Sequence, residues 1–183
     1  LPFEEPESSM TPLVAPSSLV VSRAEWGARS PGKVCGRVHT PNRMTIHHTD
    51  GNSGRTNPAA VMRQMQALHI DSPRRQWCDI GYHFVVSYDG TIFQGRSSEE
   101  RTGTHVQFGN TGNIGISLMG KFESTSPPAS QLAGAVRIVG WVSRTYSISL
   151  NRTKVKGHGE WPDNPTTCPG ARLLALIPTI LAR

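Results

Sequence analysis

The sequence predicts a single α/β domain in which a central mixed β-sheet is flanked by helices. Three observations carry that expectation. Short apolar or β-branched runs alternate with longer stretches of helical spacing, without the strict strand–helix–strand repeat of a purely parallel sheet. The stretch from Ile80 to Gly95 reads as a hairpin about Asp89-Gly90, so one strand pair runs antiparallel. A chain of 183 residues with 36% hydrophobic content fills one ordinary core and is short for two.

Taken in order, residues 1–21 are rich in Pro, Ser and Glu with no sustained apolar period, and are expected to be a flexible linker; residues 22–183 form the domain. Structure is expected from Ser22-Arg23-Ala24-Glu25-Trp26 onward, then irregular chain to Asn42. Arg43 to Thr49 has the character of a short strand and runs into the polar loop DGNSGRTN, which leaves His47 and His48 at a strand end. Asn57-Pro58 is an N-cap and first-turn pair, and Val61, Met62, Met65, Leu68 and His69 recur at helical spacing to about Asp71. The hairpin strands Ile80–Ser87 and Thr91–Gly95 follow, then a buried strand over Ile114–Met119 closed by Gly120. Ser126 before Pro127-Pro128 opens a helix whose Leu132, Ala135, Val136, Val139 and Val142 share a face. Val155–His158 is a short strand or its end, and Pro169 starts a last helix through Leu173, Leu174 and Ile177.

A formal charge of +6 favours a polyanionic neighbourhood: nucleic acid, anionic lipid or bacterial wall polymer. The basic residues are scattered, as in Arg74-Arg75, Arg152, Lys154 and Lys156, with no basic helix and no finger spacing, which argues against nucleic acid. No apolar run is long enough for a membrane span and no leader of signal-peptide type opens the chain; a soluble, mature monomer is expected. Three cysteines, Cys35, Cys78 and Cys168, form no CxxC pair, and an odd count suggests one disulfide and one free thiol. Pairing of Cys35 with Cys78 would close a long loop, indicate an oxidising compartment and leave Cys168 for a metal, but the residues alone leave the pairing open.

Catalytic zinc takes three protein ligands and keeps a fourth position open. His47 ends one strand, His158 ends another, and Cys168 lies in a loop stiffened by Pro162, Pro165 and Pro169. Singly, each is more simply a surface or core histidine or a small buried thiol. The wording around them changes that weighing. The runs IHHTDG, WCDIGYHFVVSYDGTIFQGR, NIGISLMGKF and GHGEWPDNPTTCPG resemble, in order and spacing, the peptidoglycan recognition protein and type-2 N-acetylmuramoyl-L-alanine amidase family, from about Arg23 to the C-terminus.

The resemblance implies one Zn2+ ion on His47, His158 and Cys168, with an open position for water, at one edge of the sheet in a substrate groove. It places a catalytic tyrosine at Tyr82. Phage-type amidases carry a lysine where this chain has Thr166, whose neutral hydroxyl donates one hydrogen bond to an oxyanion without adding charge; Thr167 competes for that role. His48 and His105 are candidate substrate contacts or supports behind the ligands, while His69 and His83 read as structural. Trp77 and Arg96 match a pattern favouring diaminopimelate-type stem peptides, although Gln76 replaces its glycine. Some recognition proteins carry a disulfide where Cys35 and Cys78 stand. The implied activity is hydrolysis of the lactyl–L-alanine amide of peptidoglycan by a secreted or extracytoplasmic enzyme. Members that only bind muropeptides typically lack a zinc ligand, most often the cysteine. A non-catalytic recognition module and a zinc endopeptidase cutting within the stem are the alternatives.

Overall fold

Five strands, β1 (Arg43–His48), β2 (Phe84–Val86), β3 (Ile92–Gln94), β4 (Asn113–Leu118) and β5 (Val155–Gly157), form one mixed sheet in the order β3-β2-β4-β1-β5. The computed structural model that shows this describes residues 14–182. β1 runs parallel to β4 and β5, and β2 runs parallel to β4; the β2–β3 hairpin is the antiparallel pair. The expected first hairpin strand is shortened. The regular ladder with β3 starts at Phe84; before it Gly95 N–H still donates to the His83 carbonyl (2.8 Å) and Arg96 N–H to the Tyr82 carbonyl (2.9 Å), while Gly81 N–H donates to His69 Nδ1 (2.9 Å) and His83 N–H to the Gly115 carbonyl (2.9 Å). Tyr82 therefore stands on a bend leading into the sheet instead of within a strand.

Side chains alternate across a strand, and this sheet uses its two faces differently. Met44 and Ile46 of β1, Ile114, Ile116 and Leu118 of β4, and Phe84 and Val86 of β2 enter the main core with helices α3 (Ala129–Tyr146) and α4 (Ala171–Leu181). On the other face Val85 and Phe93 pack with α1 (Arg23–Trp26) and α2 (Pro58–Asp71) in a smaller core. Thr45, His47, Asn113, Gly115 and Ser117 share that second face, so the sheet there is polar where its neighbour is oily.

Asn57 caps α2 by accepting from Ala60 N–H, with Pro58 in its first turn, as the sequence reading has it. The expected starts of α3 and α4 move later. Pro128, not Ser126, is the N-cap of α3, and α4 begins at Ala171 because Gly170, at φ +87°, breaks the chain between it and Pro169. The single turn α1 escapes the sequence reading. It is held by a capping box between Ser22 and Glu25 and by the buried Trp26, whose indole N–H donates to the Gln94 carbonyl (2.7 Å).

Residues 1–13 of the expected linker lie outside the described residues. Its remainder is not free chain: Ala15 and Val20 are buried in the main core, Val21 N–H donates to the Ile92 carbonyl (2.8 Å), and Gln94 N–H donates to the Val21 carbonyl (2.9 Å). This segment covers the outer edge of β3, which would otherwise expose unpaired backbone. Cys35 and Cys78 form a disulfide and Cys168 is free, the division that the resemblance implies. Beside Cys78, the buried Asp79 pairs with Arg23 (2.8 Å) and accepts from Gln66 Nε2 (2.9 Å) and Ile80 N–H (2.8 Å). One carboxylate thus ties α1, α2 and the turn that carries Trp77 and Tyr82.

Candidate metal centre and substrate groove

His47 sits near the end of β1, His158 opens a short 3-10 turn (His158–Glu160) directly after β5, and the two strands are neighbours. Their imidazoles therefore converge, with ring centroids 4.7 Å apart. The loop to Cys168 folds back beneath them: Gly159 N–H donates to the Cys168 carbonyl (3.0 Å), and Cys168 N–H donates to Thr166 Oγ1 (3.2 Å). Cys168 Sγ lies 3.6 Å from His47 Nδ1, and ligand atoms of His47, His158 and Cys168 all fall within 4.8 Å of one another.

The donor chemistry fits zinc, which accepts mixed imidazole and thiolate sets. Desolvation above all, helped by neighbouring imidazoles, holds His47 well below the usual histidine range, so it is neutral and keeps a lone pair for a cation. Burial pushes the Cys168 thiol up to about 12, with Asp50 and Glu123 adding to the rise and a backbone hydrogen bond from His48 opposing it. A cation must therefore displace the thiol proton on binding.

A second group of possible ligands, His48, Asp50 and Glu123, lies nearby. His48 Nδ1 accepts from Phe122 N–H (3.2 Å), so its Nε2 carries hydrogen and turns a donor, not a lone pair, toward Asp50 (3.7 Å) and Glu123 (3.9 Å). Lys121 Nζ also lies 3.6 Å from Asp50. That chemistry suits a loose cluster of cationic, donor and carboxylate groups better than a bound ion.

Two clefts share Trp77 in their lining, and His158 of the first trio lines one of them. One, of about 400 Å³, is lined by Trp77, Thr104, His105, Val106, Gln107, Asn110, His158, Asn164, Pro165 and Thr166. The other, of about 250 Å³, is lined by residues that include Thr49, Asn52, His69, Arg75, Trp77 and Tyr82. Trp77 forms the divide, its ring against His69 (centroids 4.7 Å apart) and beneath the Arg75 guanidinium (5.6 Å). Tyr82 lies with its ring 5.0 Å from that of His47; desolvation first, and then Cys168, raises its phenol above the usual range and keeps it protonated.

Of the other residues singled out in the sequence, Thr166 lines the first cleft, whereas Thr167 turns its hydroxyl to Glu123 (3.1 Å). His105 lines the same cleft, and its two nitrogens lie 2.9 Å from His47 Nε2 and 2.9 Å from the Asn113 carbonyl. His48 and Arg96 line neither cleft. Strand alternation turns His48 to the opposite face from His47. Arg96 is buried, and its guanidinium donates to Ile80 O (2.5 Å), Thr104 Oγ1 (2.9 Å) and Thr102 O (3.4 Å); it braces the cleft wall from behind.

Sequence reasoning passed over two asparagines that shape the groove. Asn164 Oδ1 lies 3.0 Å from His158 Nε2 and accepts from Gln107 N–H (2.9 Å), while its Nδ2 donates to Gln107 O (3.1 Å) and Pro162 O (2.8 Å). Asn110 Oδ1 accepts from both His105 N–H and Val106 N–H (2.9 Å each). Their only signal was the one any asparagine gives in a Gly- or Pro-rich turn.

The buried histidines make stability depend on pH. Burial, with Arg75 and Arg96 adding to it, holds His69 at about 4 in the folded protein, against 6.5 when unperturbed. Burial likewise holds His83 well below 6.5. As pH falls below 6.5 the unfolded chain takes up these protons and the folded one does not. Stability therefore falls, by about 1.4 kcal/mol per pH unit for each such group, until the folded-state value is reached. Thermal melts of the metal-free protein from about pH 7.5 down to about pH 4 test this; an unchanged melting temperature across that window would contradict it.

A mixed sheet bearing a two-imidazole, one-thiol trio, one imidazole of which lines a cleft, defines a class of α/β groove domains. The chain belongs to the Amidase_2 family, N-acetylmuramoyl-L-alanine amidase, whose model matches residues 37–171. It is 36% identical over 163 residues to peptidoglycan recognition protein 1 of Bos indicus, covering 86% of this chain and 82% of that one. Among solved structures, wild-type Drosophila PGRP-LB is similar with 32% identity and a TM-score of 0.73, over 86% of this chain and 91% of that one. Peptidoglycan recognition protein-LE in complex with tracheal cytotoxin, a monomeric diaminopimelic acid-type peptidoglycan, is similar with 30% identity and a TM-score of 0.77, over 88% and 94%. The family resemblance and the single-domain mixed-sheet fold both hold. Among the described residues no helix is long and apolar enough to cross a membrane.

Proposed function

We propose that the chain hydrolyses the amide joining the lactyl group of N-acetylmuramic acid to L-alanine in peptidoglycan, with one zinc ion held by His47, His158 and Cys168. The observation that carries this reading is the convergence of those three donors within 4.8 Å of one another, with His158 lining a cleft of about 400 Å³. Family membership supports it, as does the likeness to a protein bound to a monomeric diaminopimelic acid-type peptidoglycan. Zinc, when bound, supplies a Lewis acid that acidifies water and polarises the carbonyl under attack.

The chain's own groups supply the rest. Tyr82, kept as a phenol by burial, orients the attacking water and relays its proton. Thr166 Oγ1 already accepts from Cys168 N–H, which leaves its O–H to donate to the oxyanion without adding charge. The L-alanine nitrogen must gain a proton as the amide breaks. His105 has both nitrogens engaged and His48 lies on the other face, so the relay through Tyr82 is the route the geometry favours.

The lining of the first cleft carries no carboxylate, lysine or arginine, which suits a neutral sugar; the second presents Arg75, which suits the carboxylates of a stem peptide. In this reading the diaminopimelate preference rests on Arg75 over Trp77, with Arg96 acting through Thr104 and not as a direct clamp. A disulfide-bonded wall hydrolase works outside the cytoplasm.

Tyr82→Phe keeps the ring and removes the hydroxyl. It should lower kcat about a hundredfold while zinc content stays at the wild-type level; unaltered turnover would remove Tyr82 from the chemistry. The proposal as a whole is tested by incubating the protein with defined muropeptides, with and without chelator, and identifying products by mass. Release of a stem peptide beginning with free L-alanine, abolished by chelator, is expected. A stem cut internally would move the scissile bond, and no cleavage at all would leave a binding module.

A further inference from the structure

We infer that His105 is a positioning residue that fixes the tautomer of His47, so that His47 presents Nδ1 to the zinc ion. The inference rests on the reading of His47 as a zinc ligand and adds to it the device that aims it.

The Asn113 carbonyl only accepts, so His105 Nε2, 2.9 Å away, carries hydrogen. A doubly protonated His105 would be a buried cation, and no salt bridge reaches it among the described residues. His105 Nδ1 is therefore bare and accepts. It faces His47 Nε2 at 2.9 Å, so that nitrogen carries the hydrogen and the lone pair of His47 is left on Nδ1. Nδ1 is the atom 3.6 Å from Cys168 Sγ. In the other tautomer His47 would turn an N–H toward the thiol and could not ligate from that nitrogen.

The fold holds His105 in this role from three directions. Asn110 Oδ1 accepts its backbone N–H (2.9 Å), and the Asn113 carbonyl of β4 anchors its ring. The third support is a missing side chain. Gly115, opposite Thr45 in the β1–β4 register, leaves open the space where the imidazole lies; a Cβ there would stand 2.8 Å from His105 Cγ and 2.9 Å from its Cδ2 and Nδ1. Gly115 N–H meanwhile donates to His83 Nδ1 (3.0 Å), so this one residue seats two imidazoles. The other proposed ligand differs: the remote nitrogen of His158 ends on the side-chain amide of Asn164, in a loop, whereas the relay from His47 ends on sheet backbone. Because His105 also lines the first cleft, the wall that would contact the sugar and the support of the metal ligand are one side chain.

The test reads tautomers and metal affinity and does not depend on turnover. In the metal-free wild-type protein, long-range 15N–1H correlation of the imidazoles should show His47 and His105 both as Nε2–H tautomers; His47 as the Nδ1–H form would overturn the inference. His105→Ala should weaken zinc binding roughly 10- to 100-fold, measured by competition with a chromophoric chelator, and should mix the His47 tautomers. His105→Gln, whose amide oxygen can accept from His47 Nε2–H, should restore most of the affinity. Wild-type affinity in His105→Ala would overturn the inference; if that variant does not fold, His105→Gln and the wild-type spectrum decide it. Should the wild-type protein take up no zinc, the proposed hydrolytic function fails, while the metal-free spectrum still reports on the His105 relay.

Discussion

Cys168→Ser should lose muropeptide hydrolysis by at least about a thousandfold, about 4 kcal/mol in the barrier, and retain muropeptide binding. Serine is close in size, but its hydroxyl does not ionise to a zinc ligand as a thiol does, so the trio is reduced to two imidazoles. The fold should survive. Cys168 Sγ accepts from His48 N–H (3.4 Å), a role that a hydroxyl oxygen can take, and the Cys168 backbone bonds to Gly159 and Thr166 are untouched. Binding should persist because Cys168 is not among the lining of either cleft. Zinc content by metal analysis, affinity by calorimetry and product release by mass spectrometry separate the three quantities. Hydrolysis that continued in Cys168→Ser and vanished in Glu123→Gln would move the centre to the neighbouring His48, Asp50 and Glu123 group.

The contrast between those groups shows what the sequence could reveal. His47, His158 and Cys168 were legible because each sits in a run of residues whose order along the chain is distinctive, and the fold brings the runs to adjacent strands. Helix α2 was legible because its cap and first turn, Asn57-Pro58, are local chemistry. Whatever depends on a distant neighbour was not. Arg96 reads as a free guanidinium until Ile80, Thr102 and Thr104 are seen to consume its donors. His105 reads either as a substrate contact or as a support behind the ligands until Asn113 and His47 are seen at its two nitrogens. The turn Arg23–Trp26 is too short to show a period, and its worth lies in Trp26 reaching the Gln94 carbonyl. Ala15 and Val20 belong to a Pro- and Ser-rich stretch that resembles linker, but tertiary contact with the core overrides that composition.

Replacing both Cys35 and Cys78 by alanine should cost about 4 kcal/mol of stability, from the chain entropy of the loop that the disulfide closes across a sequence separation of 43. For a domain of this size the melting temperature should drop by about 10 °C. The disulfide shares the hold on the irregular chain before β1 with hydrogen bonds, among them those of the buried His39, which donates its N–H to Glu100 O (2.9 Å), has Nε2 2.8 Å from Glu99 O and accepts from Gly112 N–H at Nδ1 (2.7 Å). Arg37 N–H donates to Thr102 Oγ1 (3.0 Å), Thr102 N–H donates to Arg37 O (2.9 Å), and Arg101 Nη1 donates to Gly36 O (3.0 Å). The other end of the disulfide stands between Trp77, the divide of the two clefts, and Asp79, the carboxylate that joins α1 to α2. Loosening it should therefore weaken muropeptide affinity as well as stability. The double alanine variant is the informative one, since a single substitution leaves a new thiol free to exchange with Cys168. Guanidinium unfolding of the oxidised wild type beside the double variant measures the difference. A gap under about 1 kcal/mol would mean that the unfolded chain gains little freedom when the bond is removed, and that the segment from Cys35 to β1 is held by its own hydrogen bonds.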